Sequence, residues 1–347
     1  MVSQSSIHKP ERVVNRISYL TGYTFIMVRT IVGVLRGGTS SEYALSLKTG
    51  AAMMSALPEE RYETRDILID RKGYWHHRGV PTTPARALQQ VDVVLNALHG
   101  GVGEDGTVHR ILERAGVPYA GAGALQTAVA LNKVSARSVL TNAGVRMPGG
   151  LSFTLRDTEN TAEMAHRVHG AVAPPYIVKP VGDGGGTGVR FVKSFVELPD
   201  AIADVLDEYG AALVEEYIRG DEASVGIIEG YRGEDVYVLP PAHVVYEGAH
   251  LERHHHENGT IAHHAPSGFS YNQKESLMDI AKTAHKVLAL SHFSRSDFIV
   301  SPRGIYLLEV NTNPGLYPGA SFPAMLGAVG SSVAEFLEHA VRLARSH

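Results

Sequence analysis

The 347-residue sequence predicts an α/β protein built from more than one unit. Three observations lead there. A strand, a glycine turn and a helix follow one another from Thr30. A second glycine cluster, Gly182–Gly188, sits between two apolar strands. Near the C-terminus two apolar runs flank Ser-Pro-Arg-Gly and carry Asp297, Glu309 and Asn311.

Residues 1–28 show no clear period and are expected to form a poorly ordered extension, with Met27 a candidate start just ahead of the first strand. Thr30–Leu35 is the first firm strand; Arg36-Gly-Gly-Thr-Ser-Ser-Glu42 is the turn and Tyr43–Leu57 the helix. Strands near 64–69 and 91–98 continue the alternation. The second runs into His99-Gly-Gly-Val-Gly-Glu-Asp-Gly106, and Thr107–Ala115 reads as a helix. This is an open α/β domain over 29–127. Ligands collect outside the carboxyl ends of such strands, where Glu42 and His99 lie.

A central unit, 128–217, begins with a helix carrying Lys133. Strand Tyr176–Val181, the glycine loop, strand Val189–Val192, helix Val196–Tyr209 and strand Ala212–Tyr217 follow. A third unit, 218–347, holds a polar, His-rich segment, the Pro/Gly hairpin and a final helix, Val333–Ala344. On the hairpin, Glu309 and Asn311 are two apart and share a face, which Asp297 on the paired strand can reach. Oxygen donors without Cys suit Mg²⁺ held partly through substrate phosphates.

Composition narrows the function. Hydrophobic content of 44% and charged content of 20% belong to a globular chain. A net charge of −4 gives no reason to expect nucleic acid. The absence of cysteine excludes disulfides, thiol nucleophiles and Cys-ligated zinc. No apolar run approaches a membrane span and no signal peptide is apparent, so a cytoplasmic setting is expected.

Several clusters suit phosphate chemistry. The Gly184-Gly185-Gly186 backbone can crowd around a phosphate without Cβ obstruction. Lys133 and Lys179 offer two point charges for a polyphosphate. Glu215 and Glu222 are placed to meet an adenine amine or ribose hydroxyls. Seven of the eighteen histidines, from His243 to His264, make a mobile active-site loop a better reading than a zinc site.

With these residues in hand, the chain resembles the D-alanine–D-alanine ligase family of the ATP-grasp superfamily. The motifs are Gly37–Glu42, Leu98–Gly106, Val117–Gly123, Val178-Lys-Pro180, Arg295-Ser-Asp297 and Glu309–Gly315. The resemblance implies a two-part ATP-grasp fold after the N-terminal domain. ATP lies between the central and C-terminal units, and Asp297, Glu309 and Asn311 hold two Mg²⁺, with Mn²⁺ an alternative. The first amino acid is phosphorylated on its carboxylate, and the amine of the second attacks the acyl phosphate. Glu42 holds the first ammonium with His99 nearby, Arg295 and the Gly315 N–H face the oxyanion, and Ser321 receives the second carboxylate. Small amino acids, most simply D-alanine for peptidoglycan precursors, are the expected partners, and a homodimer the expected assembly.

Two departures bear on substrate choice. The family's glycine loop carries Ser-Ser where this chain has Gly185-Gly186, so the hydroxyl that links the catalytic glutamate to a loop tyrosine is missing. The mobile loop lacks a clear Lys-Tyr pair; one register puts His255 and His256 there, with His256 the first candidate, and another puts Tyr246 or His250 close. A D-alanine–D-lactate or other altered-acceptor ligase therefore stays open. A nucleotide-binding protein without catalysis is the alternative of another class.

Overall fold

The computed structural model describes residues 17–20, 23–26, 29–182, 184, 186–247 and 260–346. Two short strands, β1 (Ile17–Leu20) and β2 (Tyr23–Ile26), pair antiparallel with Leu20 opposite Tyr23. The sequence reading had expected a poorly ordered stretch here. The order has a local cause: β-branched and aromatic residues at Ile17, Tyr19, Tyr23 and Phe25 favour a pleated pair, and only two residues separate the strands.

The N-terminal sheet has six strands. They are β3 (Thr30–Gly37), β4 (Tyr62–Ile69), β5 (Trp75–His77), β6 (Val80–Thr82), β7 (Val93–Asn96) and β8 (Tyr119–Ala120), in spatial order β6-β5-β4-β3-β7-β8. β4, β3, β7 and β8 run parallel, and β5 and β6 add an antiparallel edge. A parallel sheet covered on both faces needs continuous apolar strands, and Val32–Leu35 is buried throughout. Leu35, Ile67 and Val94 pack with Trp75, Leu98, Val108 and Leu112. Val32, Val34, Val93 and Leu95 pack with Met53 of helix Tyr43–Ala56 and with Phe336, Leu337 and Val341 of the last helix, Val333–Ser346. Arg61 fixes that helix with two hydrogen bonds to Glu338, at 2.6 and 2.5 Å.

The central unit carries β9 (Gly150–Thr154), β10 (Tyr176–Pro180), β11 (Arg190–Val192) and β12 (Ala211–Glu216), ordered β11-β10-β12-β9 and antiparallel throughout. Its core is its own: Phe153, Tyr176, Val178 and Val214 meet Met164 and Val168 of helix Thr161–Ala171 and Ile202 and Leu206 of helix Leu198–Tyr209.

The C-terminal sheet comprises β13 (Asp221–Glu229), β14 (Val236–Val238), β15 (Ala242–Glu247), β16 (Thr260–His264), β17 (Phe293–Ser301) and β18 (Gly304–Asn311). The order is β16-β15-β13-β17-β18, with β14 paired to β13. Leu277, Ala281 and Ala284 of helix Tyr271–Val287 cover one face, opened by a Ser270–Gln273 capping box.

Candidate active site

The β17–β18 hairpin fixes the centre. Arg295 pairs with Asn311 and Asp297 with Glu309, and the register shifts between Asp297 and Phe298. Such a bulge re-aims side chains beside it. Arg295 donates from Nε to Asp297 Oδ1 at 2.9 Å and from Nη2 to Oδ2 at 2.7 Å. Asn311 Nδ2 donates to Asp297 Oδ2 at 2.9 Å, and Ser224 Oγ donates to Asp297 Oδ1 at 2.7 Å. Ser224 sits on β13 opposite Asp297. Glu222, two residues earlier on the strand, shares that face.

Charge from all three units converges on Glu309. Burial would raise its pKa, but Lys133, Lys179 and Arg295 pull it below the usual carboxylate range. Lys133 Nζ lies 3.6 Å from Glu309 Oε2. Lys133 opens helix Lys133–Asn142, where the Asn132 side chain accepts from the Ser135 N–H and fixes the helix start. Arg295 is opposed by burial but kept charged by Asp297 and Glu309.

Two carboxylates and one amide oxygen therefore meet beside two lysines. Among the described residues no three His, Asp or Glu side chains gather as a metal cage. This donor set still fits Mg²⁺, which takes one or two carboxylates and fills its remaining positions with phosphate oxygens and water.

Lys179 Nζ lies 2.6 Å from Glu215 Oε2, and Arg137 Nη1 lies 2.8 Å from Glu215 Oε1. The sequence reading offered Glu215 to adenine or ribose. Instead its carboxylate is buried between two cations and orients Lys179. The reason is topological: Glu215 on β12 pairs with Ile177 on β10, so it is a neighbour of Lys179 across the sheet.

The N-terminal domain contributes the amino-acid end. Glu42 stands at the start of helix Tyr43–Ala56. A Cβ at Gly184 would lie 2.8 Å from Glu42 Oε2, so the glycine loop rests directly on this carboxylate. Ser41 Oγ donates to Thr187 Oγ1 at 3.2 Å, a second link between loop and domain. His99 is buried, with Nε2 2.8 Å from Thr49 Oγ1. Burial and the Arg295 charge push its pKa down to about 4. It is a neutral imidazole at the carboxyl end of the β7 segment.

Three residues escaped the sequence reading. Glu104 is buried; it accepts from the Gly100 N–H at 2.7 Å and from Thr312 Oγ1 at 3.1 Å, and burial raises its pKa. It ties the His99 loop to the loop after β18. Ser224 holds Asp297, as described. Tyr317 lies close enough to Arg295 and Glu42 for both charges to act on its phenol. Ser321 is buried in the first turn of helix Ser321–Ala328. Gly315 is buried beneath the Tyr317 ring. Gly186 has a left-handed backbone, φ +76°. Gly185 and His250, His254, His255 and His256 lie outside the described residues.

Comparison with known proteins agrees with this geometry. The family model for the D-ala D-ala ligase C-terminus matches residues 139–342, and that for the N-terminus matches residues 76–122. The D-alanine–D-alanine ligase of Desulforudis audaxviator is 33% identical over 324 residues, 92% of this chain and 99% of the relative. That of Sinorhizobium fredii is 33% identical over 311 residues, 88% of this chain and 95% of the relative. Among solved structures, the VanG D-Ala:D-Ser ligase from Enterococcus faecalis superposes with a TM-score of 0.78 at 25% identity, covering 91% of this chain and all of that one. D-alanyl-alanine synthetase A from Vibrio cholerae shares the fold, with a TM-score of 0.80 at 24% identity over 92% of this chain and 100% of that one. The α/β, ATP-grasp architecture and the motif order expected from the sequence thus hold together, and the chain belongs to the D-alanine–D-alanine ligase family of ATP-dependent ligases.

Proposed function

We propose that this protein joins two D-alanine molecules at the expense of ATP. The observation that carries the reading is the convergence on Glu309: Lys133 from the central unit, 3.6 Å away, and Arg295 and Asn311 from the same hairpin. A polyphosphate meets lysines there, and the oxygen donors beside it can take a divalent cation. Asp297, Glu309 and Asn311 would hold two Mg²⁺, or Mn²⁺, which bridge phosphate oxygens and offset their charge.

The first D-alanine binds through its ammonium at Glu42, leaving its carboxylate toward Arg295. A carboxylate oxygen attacks the γ-phosphorus, the bond to the β-bridging oxygen breaks, and ADP leaves. Lys133 and Lys179 neutralise charge as it spreads over the transferring group, and Glu215 keeps Lys179 aimed. The amine of the second D-alanine, having lost a proton, attacks the acyl carbon. Arg295 and the Gly315 N–H stabilise the tetrahedral oxyanion. Inorganic phosphate then leaves with the acyl C–O bond electrons, and a dipeptide remains. The loop carrying Gly184 and Thr187, resting on Glu42 and Ser41, excludes water that would hydrolyse the acyl phosphate. His99, neutral over the working range, packs beside the site without a competing positive charge.

The product suits peptidoglycan precursor synthesis in the cytoplasm, and the assembly we expect is a homodimer. The test is phosphate release from ATP with D-alanine alone, followed by product mass, and then with D-serine or D-lactate as competing acceptor. Ester or D-Ala–D-Ser in preference to D-Ala–D-Ala would move the reading to an altered-acceptor ligase. ATP binding without amino-acid-dependent phosphate release would reject ligation altogether.

A further inference from the structure

Tyr317 lies in a short connection between the metal hairpin and helix Ser321–Ala328. Its backbone is held by a tight turn: the Tyr317 carbonyl accepts from the Ala320 N–H at 3.1 Å, with Pro318 second and Gly319 third at φ +91°. Proline at the second position and a positive-φ glycine at the third are the requirements of a type II turn. The turn points the phenol back over Gly315. A Cβ on Gly315 would lie 2.7 Å from Tyr317 Cε1, 3.3 Å from Cδ1 and 3.6 Å from Cζ. The ring therefore lies against the Gly315 backbone, and any larger residue at 315 would displace it.

The other side of the ring faces the amino-acid end. Burial raises the phenol's pKa, while the Arg295 charge lowers it and the Glu42 charge raises it. Tyr317 acts in turn on Arg295. Glu42 and Arg295 are the groups that take the two ends of the first amino acid, its ammonium and its carboxyl. Those ends are separated by a single Cα. A rigid ring within reach of both must flank that Cα.

We propose that Tyr317 is the wall that limits the side chain of the first amino acid, and so a specificity-determining residue for the donor position. The inference rests on the ligase reading above. A phenol held by a turn costs little conformational entropy to keep in place. It leaves room for a methyl group and excludes longer chains by overlap. The Tyr317 hydroxyl lies on the Glu42 side, and the ring alone supplies the steric limit.

Two variants and one analytical step test this. D-alanine and D-norvaline are offered together with ATP, and tandem mass spectrometry identifies which residue is N-terminal in each mixed dipeptide. The N-terminal residue is the one that was phosphorylated. In Tyr317→Ala, the ratio of D-norvaline to D-alanine at the N-terminal position should rise at least tenfold, with the C-terminal ratio unchanged. Tyr317→Phe should keep both ratios near those of the wild type, because the ring remains. Tyr317→Leu should fall between, which guards against loss of fold in the alanine variant. Unchanged N-terminal ratios in variants that still ligate D-alanine overturn the proposal and leave the ligase reading intact. A change confined to the C-terminal position also overturns it, by assigning the wall to the acceptor. Equal loss of ligation with both amino acids in the alanine and leucine variants overturns it too, since that marks a purely structural role. Wild-type protein that ligates neither amino acid removes the ligase reading and the proposal together.

Discussion

His109 lies in helix Thr107–Ala115, 1% exposed, with its ring edge-on to Tyr119 at 5.1 Å and its Nδ1 without a hydrogen-bond partner in the described structure. Burial pushes its pKa down to about 4, against 6.5 for a free imidazole. A histidine depressed in this way is neutral in both states at pH 7.5 and costs nothing there. Below about pH 6.5 the unfolded chain takes up the proton and the folded one does not, so stability falls as pH falls, until about pH 4. At pH 5 the unfolded histidine is favoured by a factor of roughly 30, or about 2 kcal/mol, with a limit of about 3 kcal/mol at lower pH. His99, depressed to about 4 by burial and by Arg295, adds a penalty of the same sign. His109→Leu keeps an apolar side chain of similar reach and removes one of the two proton sites. The sole tryptophan, Trp75, is buried in the core that Val108 and Leu112 of this helix help to form, so its fluorescence reports unfolding of the right unit. Urea unfolding is followed at pH 7.5 and pH 5. The wild type should lose about 2 kcal/mol more than His109→Leu between those values. An equal loss in both proteins would show that His109 ionises freely in the folded state, and would refute the argument.

Other outcomes follow from the site and its supports. Glu309→Gln keeps side-chain size and removes the charge on which Lys133, Lys179 and Arg295 converge; phosphate release should fall on the order of 100-fold or more with the thermal midpoint near that of the wild type. Lys179→Met leaves Glu215 paired with Arg137 only, and should raise the ATP concentration needed for half-maximal rate more than that of D-alanine. Arg61→Ala strands the buried Glu338 carboxylate and should cost about 2 kcal/mol, read as a lower urea midpoint by Trp75 fluorescence, with kinetic constants little changed.

The parts of the fold that were legible in the sequence are those whose pattern is local. Strand β3, helix Thr107–Ala115 and the β17–β18 hairpin follow from apolar runs bounded by Gly or Pro, and the structure places them within a few residues of expectation. Helix Tyr271–Val287 was not singled out, although its capping box and its Leu277, Ala281, Ala284 spacing are present, because it follows the long His-rich stretch. The β1–β2 pair lacks any long apolar run and was passed over for that reason. In the site, Asp297, Glu309 and Asn311 were legible because strand periodicity puts them on one face. The role of Glu215 was not, since only the β10–β12 pairing brings Lys179 and Arg137 to it. Glu104 lies inside a motif that was recognised, but its partner Thr312 is 208 positions away. Tyr317 depends on the turn at Pro318-Gly319 to aim it, and neither residue advertises a ligand.

The last helix has a consequence for how the chain is made. One face of the first sheet, with Val32, Val34, Val93 and Leu95, is covered by residues of Val333–Ser346. A ribosome adds roughly 5–20 residues per second, so that face waits roughly 10–50 seconds after its strands emerge before its cover exists. The central unit, whose core is separate, can close in the interval. Nascent chains halted before residue 333 should therefore be protease-resistant across 150–216 while the first sheet is still cut, and resistance there should arrive only with the final helix. The oldest part of the polypeptide is the last to mature.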